Sequence, residues 1–277
     1  MLETVEQRNA LLAAIERARN SSVVAYVLHD NAMVADDALP QLYDKLQAMG
    51  KQERIDLLLY ARNGVIEVCW RVLNLVREYC DHLGVIIGTR VGGAASLLAL
   101  GADEIVMGPL SELGGMEPVR RHPLLPRDEL GQPLPVSLGE IKGLIDFLAE
   151  HSEAAGDEGP KDESPVKGRG QKAKDDTGFL PDFTHNLELK TQNSKLNPAL
   201  LAQLLQHIHP LVIGHLQHSD TLCRSISEKA LRLHMSPEDE GRINHIVDLF
   251  NGGFHSPLYS ASRSELQEAG LPITVPD

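Results

Sequence analysis

The chain has 277 residues, 42% of them apolar and 4% aromatic, with 39 acidic and 26 basic side chains and a formal net charge of −13. This composition is typical of an α/β protein with a sizeable core, and the negative charge argues against general binding to nucleic acids or anionic membranes. Cys69, Cys80 and Cys223 have no metal-binding or redox spacing, and residues 1–20 contain no apolar run long enough for a signal peptide or a membrane span. A cytoplasmic protein is therefore expected.

The first elements alternate between helix and strand. Apolar spacing predicts a helix over 4–19, a strand over 22–29, a helix over 39–49 that ends at Gly50, a strand over 55–61 and a helix over 65–82. The strand over 55–61 is almost continuously apolar, as expected for a strand covered on both faces. These repeated strand–helix–strand units predict a parallel sheet with right-handed crossovers.

Residues 90–118, together with the strand that leads into them, form the stretch around which the rest of the chain is organised. An apolar strand over 85–91 is followed by the glycine turn Gly92-Gly93, a helix of small residues and a second short strand. The glycines permit positive φ and a close approach to the backbone, and the helix start offers N–H groups that can bind an oxyanion. A buried joint between helix and sheet, without chemistry, fits the same residues.

The second half of the chain is predicted to be mainly helical. Helices are expected over 140–151, 196–218 and 220–234, followed by one with Ser236 as its N-cap and Pro237 in its first turn. The predicted organisation is an N-terminal helix (1–21), an α/β core (22–152), a disordered insertion rich in Gly, Pro, Ser and charged residues (153–178), and a helical C-terminal portion that completes the same domain (179–277).

The segments around the glycine turn resemble those of a known protein family. The segments RVGGAAS at 90–96, LLALGADEIVMG at 97–108 and SELGGMEP at 111–118 resemble the serine dehydrogenase proteinase family, soluble relatives of the Clp and signal-peptide-peptidase-A proteases. The resemblance covers residues 22–277 apart from the insertion. It implies a Clp/crotonase-like α/β fold of repeated ββα units with a parallel sheet. It also implies a homo-oligomeric, ATP-independent serine peptidase that acts on peptides or unfolded proteins without a cofactor.

The resemblance departs from the family pattern at the nucleophile. When the two are aligned on Asp103, Gly93 stands where the family has its nucleophilic serine, and Ser96 stands where it has threonine. The enzymatic hypothesis therefore takes Ser96 as the nucleophile, although it lies about 4.5 Å further along the helix axis. Otherwise Ser96 packs within the helix.

The resemblance also implies the groups around the nucleophile. Backbone N–H groups of Asn63, Gly64, Gly93 and Ala94 would form the oxyanion hole, with Asn63 replacing the first glycine of the family's Gly-Gly pair. His122 follows the acidic loop and is either the base or part of a structural loop. For His255, in the C-terminal motif, catalytic, capping and packing roles are open. Glu117 replaces a family aspartate and is compatible with orienting a histidine.

Other kinds of function remain as alternatives. A pseudopeptidase would keep the peptide-binding groove and the oligomer surface without cleaving, and crotonase-like acyl chemistry would need only an oxyanion hole. Four histidines of the C-terminal half could suggest a metal site: His207, His209, His215 and His218. No acidic residue or cysteine joins them at matching spacing, so no metal is predicted. No Gly-x-Gly-x-x-Gly follows a strand, so a nicotinamide site is not expected.

Overall fold

The computed structural model describes residues 4–154, 208–256 and 258–276, and side chains of the helix ending at residue 154 only as far as residue 147. The chain divides into two units, one made of residues 1–139 with 209–277 and the other of residues 140–208. Of the second unit only the helical residues 140–154 and Ile208 are described. The predicted insertion at 153–178 lies outside the described residues from 155 onwards, as does His207.

The structure confirms the predicted mixed α/β arrangement of helices and a parallel sheet. The seven strands of the main sheet are β1 (Ser22–Val27), β2 (Gln52–Ala61), β3 (Cys80–Val91), β4 (Glu104–Met107), β5 (Glu112–Gly114), β8 (Ser260–Ala261) and β9 (Ile273–Thr274), and a separate antiparallel pair consists of β6 (Val119–Arg121) and β7 (Pro135–Ser137). The main order is β1-β2-β3-β4-β9, with every pair parallel. Strand β5 pairs in parallel with the end of β3 and antiparallel with β8.

The helices follow the predicted pattern in most places. Their bounds are α1 (Val5–Arg19), α2 (Leu39–Met49), α3 (Ile66–Glu78), α4 (Ser96–Leu100), α5 (Leu138–Ala154), α6 (Pro210–Leu231), α7 (Glu240–Asp248) and α8 (Arg263–Glu268). Helix α1 begins with a capping box between Thr4 and Gln7, and α2 ends at Gly50, which has a φ of 69°. None of the helices within the described ranges combines the length and the apolarity needed to cross a membrane.

Several predicted boundaries are wrong, including that of the helix predicted over 196–218, whose described part begins only at Pro210 because His209 is extended. The helix expected to reach residue 82 ends at Glu78, because β3 starts at Cys80, where it already pairs with Gln52 of β2. The break expected at Ser219 does not occur, because α6 runs without interruption from Pro210 to Leu231. The polar residue Asp220 in the middle of this helix is buried and hydrogen-bonded. Its Oδ2 accepts a hydrogen bond at 3.2 Å from the Nε of Arg224, which lies one turn further along the helix.

The core of the first unit surrounds β2 and β3. Residues 55–57 of β2 are buried one after another, so both faces of this strand are covered, as its apolar run predicts. Helix α3 contributes a buried face that includes Cys69, Val72 and Val76, at the spacing expected of an amphipathic helix. This packing holds the ends of β2 and β3 in place beside the glycine turn.

A buried group of charges lies among the strands and the end of α1. Asp56 of β2 is fully buried, and its Oδ2 accepts hydrogen bonds from Arg19 Nε at 2.6 Å and from Ser21 Oγ at 2.7 Å. Arg19 and Arg54 each also pair with Glu104 of β4. Two arginines thus compensate two carboxylates, which is the condition for burying charge without a large penalty.

Candidate functional site

The candidate site lies where β2 and β3 end, at the carboxyl edge of the parallel sheet. The Gly92 N–H donates to the Ala61 carbonyl at 3.0 Å, so the two strand ends are joined directly. Gly93 follows with a φ of 55°, a left-handed conformation that suits glycine. Its Cα lies close to Asn63, since a Cβ built on Gly93 would be 2.7 Å from the Asn63 Oδ1.

Asn63 fills the space in front of Gly93 with its own side chain. The Asn63 Oδ1 accepts the Gly64 N–H at 2.8 Å, so one of the amides that the resemblance implies for an oxyanion hole already has a partner. A Cβ on Gly64 would meet the Sγ of Cys69 at 2.5 Å and Val34, so only glycine fits there. The left-handed conformation in this region is found at Gly93 and not at Asn63.

Ser96 is fully buried at the start of α4. Its Oγ donates a hydrogen bond to the Gly114 carbonyl at 2.7 Å, and this is the one hydrogen-bond partner that the hydroxyl has in the described part of the chain. The bond ties α4 to β5. In this arrangement the hydroxyl proton is used in a structural contact and is not held by a base.

The loop after β5 packs tightly against the C-terminal segment. A Cβ on Gly114 would lie 3.2 Å from the Ser260 Oγ and 3.3 Å from the Gly92 Cα, and one on Gly115 would lie 3.0 Å from the Phe254 ring. The Ser260 Oγ is buried and has no hydrogen-bond partner among the described residues. Sequence reasoning missed this hydroxyl, because the signal that places it here is the antiparallel pairing of β8 with β5.

The two histidines proposed as bases lie in other surroundings. His122 Nδ1 accepts the Leu124 N–H at 3.2 Å, and its ring packs edge-on against His215 with the centroids 5.8 Å apart. His255 is exposed in a turn, with a φ of 56° and its N–H bonded to the Gly252 carbonyl at 3.0 Å. Within the described chain no hydrogen bond joins either imidazole to Ser96.

Glu117 has a structural contact rather than a histidine partner. Its Oε1 accepts the Gly139 N–H at 3.0 Å, next to the start of α5. A carboxylate in this position satisfies one of the free amides of a helix start and opposes the positive end of the helix dipole. The order of residues along the chain could not reveal this contact, because it joins positions on either side of the β6–β7 pair.

The three cysteines are buried, and the described histidines of the C-terminal half form no metal-binding group. Burial raises the pKa of Cys69 to about 12 and the pKa values of Cys80 and Cys223 to about 11, so their thiols stay protonated. His209 Nδ1 caps α6 by accepting the Leu211 N–H at 3.2 Å. Among the described residues no group of three or more His, Cys, Asp and Glu side chains is placed to hold a metal ion.

Comparisons with known proteins give distant structural neighbours. No protein-family model matches the chain, and no curated protein matches it. A structure of the membrane-bound stomatin-specific protease 1510-N in complex with a substrate peptide is 15% identical, with a TM-score of 0.32, over 49% of this chain and 61% of that one. A second variant of 1510-N is also 15% identical, with a TM-score of 0.33, over 49% of this chain and 65% of that one.

A third neighbour is the catalytic domain of the ClpP protease from Plasmodium falciparum. It is 10% identical, with a TM-score of 0.32, over 43% of this chain and 64% of that one. This chain therefore spans less than two thirds of each of these three proteases. The similarity is too distant to assign an activity to this chain.

Proposed function

We propose that this chain is a peptidase-like protein that binds extended peptide segments without cleaving them. In this proposal, residues 22–152 form a Clp/crotonase-like core of ββα units, residues 179–277 complete the same domain, and copies of the chain assemble in the cytoplasm. The sequence resemblance at residues 90–118 supports the family, and the parallel sheet is consistent with it. The absence of cleavage rests on the geometry at Ser96.

The buried hydroxyl of Ser96 carries this proposal. A serine nucleophile needs an accessible hydroxyl, a base within hydrogen-bond reach and N–H donors aimed at the developing oxyanion. Ser96 is 0% exposed, and its proton is donated to the Gly114 carbonyl. To react, the hydroxyl would have to break this bond and move into a space that substrate can enter.

The turn in front of Ser96 gives independent support. Glycine at position 93 supplies no hydroxyl, and the Asn63 side chain occupies the space into which a side chain at position 93 would project. The Gly64 N–H is bonded to the same Asn63 oxygen. An oxyanion would have to displace this bond, which also weighs against crotonase-like catalysis that depends on the oxyanion hole alone.

Peptide binding is the retained function that fits this site. Ligands of parallel α/β sheets bind at the carboxyl ends of the strands, where the chain here has an exposed charged surface that includes Asp30 and Arg62. Among the described strands, β1 is at the edge of the sheet. The Leu28 N–H continues its pairing with β2, so the alternate residues Ala25 and Val27 direct their amides away from β2. An extended peptide can pair with such an edge.

A fluorophosphonate probe tests the proposal directly. The wild-type chain, Ser96→Ala and Gly93→Ser are each treated with the probe and assayed for cleavage of casein. We expect no labelling and no cleavage with the wild type or with Ser96→Ala. Labelling of the wild type that disappears in Ser96→Ala would establish a serine peptidase and overturn the proposal.

A further inference from the structure

A groove of about 390 Å³ lies between α7, the turn that follows it and α8, away from Ser96 and Gly93. Leu249 and Ala269 line its apolar part, and Phe254 and Tyr259 add aromatic rings. All of these residues belong to the first unit. None of the functional residues predicted from the sequence lines this groove.

The aromatic side of the groove is a fixed stack of rings. The rings of Phe254 and Tyr259 have centroids 5.4 Å apart at 36°, and Phe254 also packs edge-on against the buried Phe250 at 5.4 Å. Because Phe254 is held from both sides, its position does not depend on a ligand. The faces of such rings attract cations through their quadrupole.

The α8 side of the groove is acidic. Glu265 and Glu268 are three residues apart, on one face of α8, and both line the groove. Hydrogen bonds from the Ser262 hydroxyl, the Tyr259 hydroxyl and the Ser262 amide hold the pKa of Glu265 below its ordinary range, so this carboxylate is ionised.

The two carboxylates are not neutralised by the walls of the groove. Glu268 has no hydrogen bond or ion pair within the described residues, and no lysine or arginine lines the groove. Of the described residues that line the groove, His245 is the one that can carry a positive charge. The charge of the groove therefore complements a cation that also has an apolar stem.

The groove is connected to the candidate site through its aromatic wall. The Phe254 ring lies 3.0 Å from the place that a Cβ would take on Gly115, and the Tyr259 carbonyl lies 3.4 Å from the corresponding place on Gly114. The carbonyl of Gly114 accepts the hydrogen bond from the Ser96 hydroxyl. The end of β5 and the glycine that follows it thus contact both Ser96 of the candidate site and residues of the groove.

We propose that this groove binds the basic side chain, lysine or arginine, of an extended peptide. The alkyl stem lies against Phe254 and Tyr259, and the ammonium or guanidinium group pairs with Glu268 and with the free lone pair of the Glu265 Oε1. This inference deepens the proposed peptide binding and rests on it. A basic residue is therefore the specificity determinant of the bound peptide.

Binding is measured with fluorescently labelled, capped pentapeptides of glycine that carry arginine, norleucine or glutamate at the centre. We expect the arginine peptide to bind at least about fivefold more tightly than the norleucine peptide, and the glutamate peptide to bind least. Glu268→Gln should remove most of this preference. Since Glu268 is exposed and has no structural partner, this variant should fold like the wild type.

Glu53→Gln is the matched control, because it removes the same charge from an exposed position at the start of β2. It should keep the preference for arginine. Equal binding of the arginine and norleucine peptides, or an unchanged preference in Glu268→Gln, would overturn the inference while leaving peptide binding intact. Agmatine is titrated in parallel: if it binds through Glu268 while none of the peptides bind, the peptide ligand is refuted together with the proposed function.

Discussion

The side chain of Asn63 occupies the space that a side chain on residue 93 would need. A Cβ on Gly93 would lie 2.7 Å from the Asn63 Oδ1 and 3.2 Å from the Asn63 Cα. A serine at position 93 would therefore require the Asn63 side chain to shift. Both positions also differ from the motifs that this sequence resembles.

Gly93→Ser should destabilise the chain without creating a peptidase. The left-handed φ of 55° costs a serine about 1–2 kcal/mol, and the clash with Asn63 adds about 1–3 kcal/mol. The free energy of unfolding in urea measures the sum. Gly131→Ser is the matched control, because Gly131 has a φ of 74° and nothing within 4 Å of its Cβ position, so it isolates the backbone cost.

The double variant Asn63→Gly with Gly93→Ser should regain much of the stability lost through the clash. Removing the Asn63 side chain frees both the space and the Gly64 N–H. If Gly93→Ser alone unfolds at the same urea concentration as Gly131→Ser, the competition between the two side chains does not exist.

Ser96→Ala should lower stability while leaving the fluorophosphonate signal unchanged. The variant removes a buried hydrogen bond and leaves the Gly114 carbonyl without its donor, which costs about 1–3 kcal/mol. Ser264→Ala, at an exposed position of α8, serves as the control and should cost less than about 0.5 kcal/mol. Equal stability of the two variants would show that the Ser96 bond to Gly114 does not form.

The stability of the folded chain should fall at acid pH because of the largely buried carboxylate of Glu104. Burial raises the pKa of Glu104, but hydrogen bonds from Arg54, Thr274 and Arg19 outweigh it and lower the pKa from 4.5 to about 2. Because the folded-state pKa is the lower one, this stability is complete above about pH 5 and is lost as the pH falls towards 2. It amounts to at most about 3 kcal/mol.

Urea unfolding of the wild type between pH 7 and pH 2.5 measures this loss. Glu104→Gln should be less stable at pH 7, because Arg19 and Arg54 lose a partner, and its stability should vary less between pH 5 and pH 2.5. Glu53→Gln, at an exposed position of β2, should follow the wild-type curve. Parallel curves for the wild type and Glu104→Gln would contradict the assigned ion pairs.

The three thiols should be unreactive until the chain unfolds. Cys69, Cys80 and Cys223 are free and buried, and their pKa values are raised by burial. A thiol reagent such as Ellman's should therefore react slowly with the native protein at pH 8 and rapidly in guanidinium. Rapid labelling of the native protein would show that at least one of these sites is open to solvent.

The sequence predicted well those features that depend on the periodicity of apolar side chains. The buried face of α3 and the doubly covered strand β2 follow from spacing alone, since such patterns have one low-energy way to be buried. The start of β3 was missed because Cys80 and His82 lie in a short polar stretch, and their strand conformation comes from pairing with β2.

The candidate site was less predictable, because its side chains are defined by tertiary contacts. Nothing in the order of residues shows that the Ser96 hydroxyl is directed at Gly114 or that Glu117 meets the amide of Gly139. The sequence shows that position 93 is a glycine. Only the structure, in which the ends of β2 and β3 lie side by side, shows that Asn63 occupies the space beside it.

Helix α1 contributes contacts that the sheet needs. The Glu16 Oε1 accepts the Val23 N–H at 3.0 Å on the open side of β1, and Arg19 enters the buried charge group at Asp56. A chain shortened to begin at residue 21 would lose the acceptor that shields one end of this edge and would leave a buried carboxylate short of a cation. Such a fragment would be prone to aggregate through pairing of this exposed strand edge, so a shortened version of the protein has to keep the whole of α1 with its N-cap Thr4.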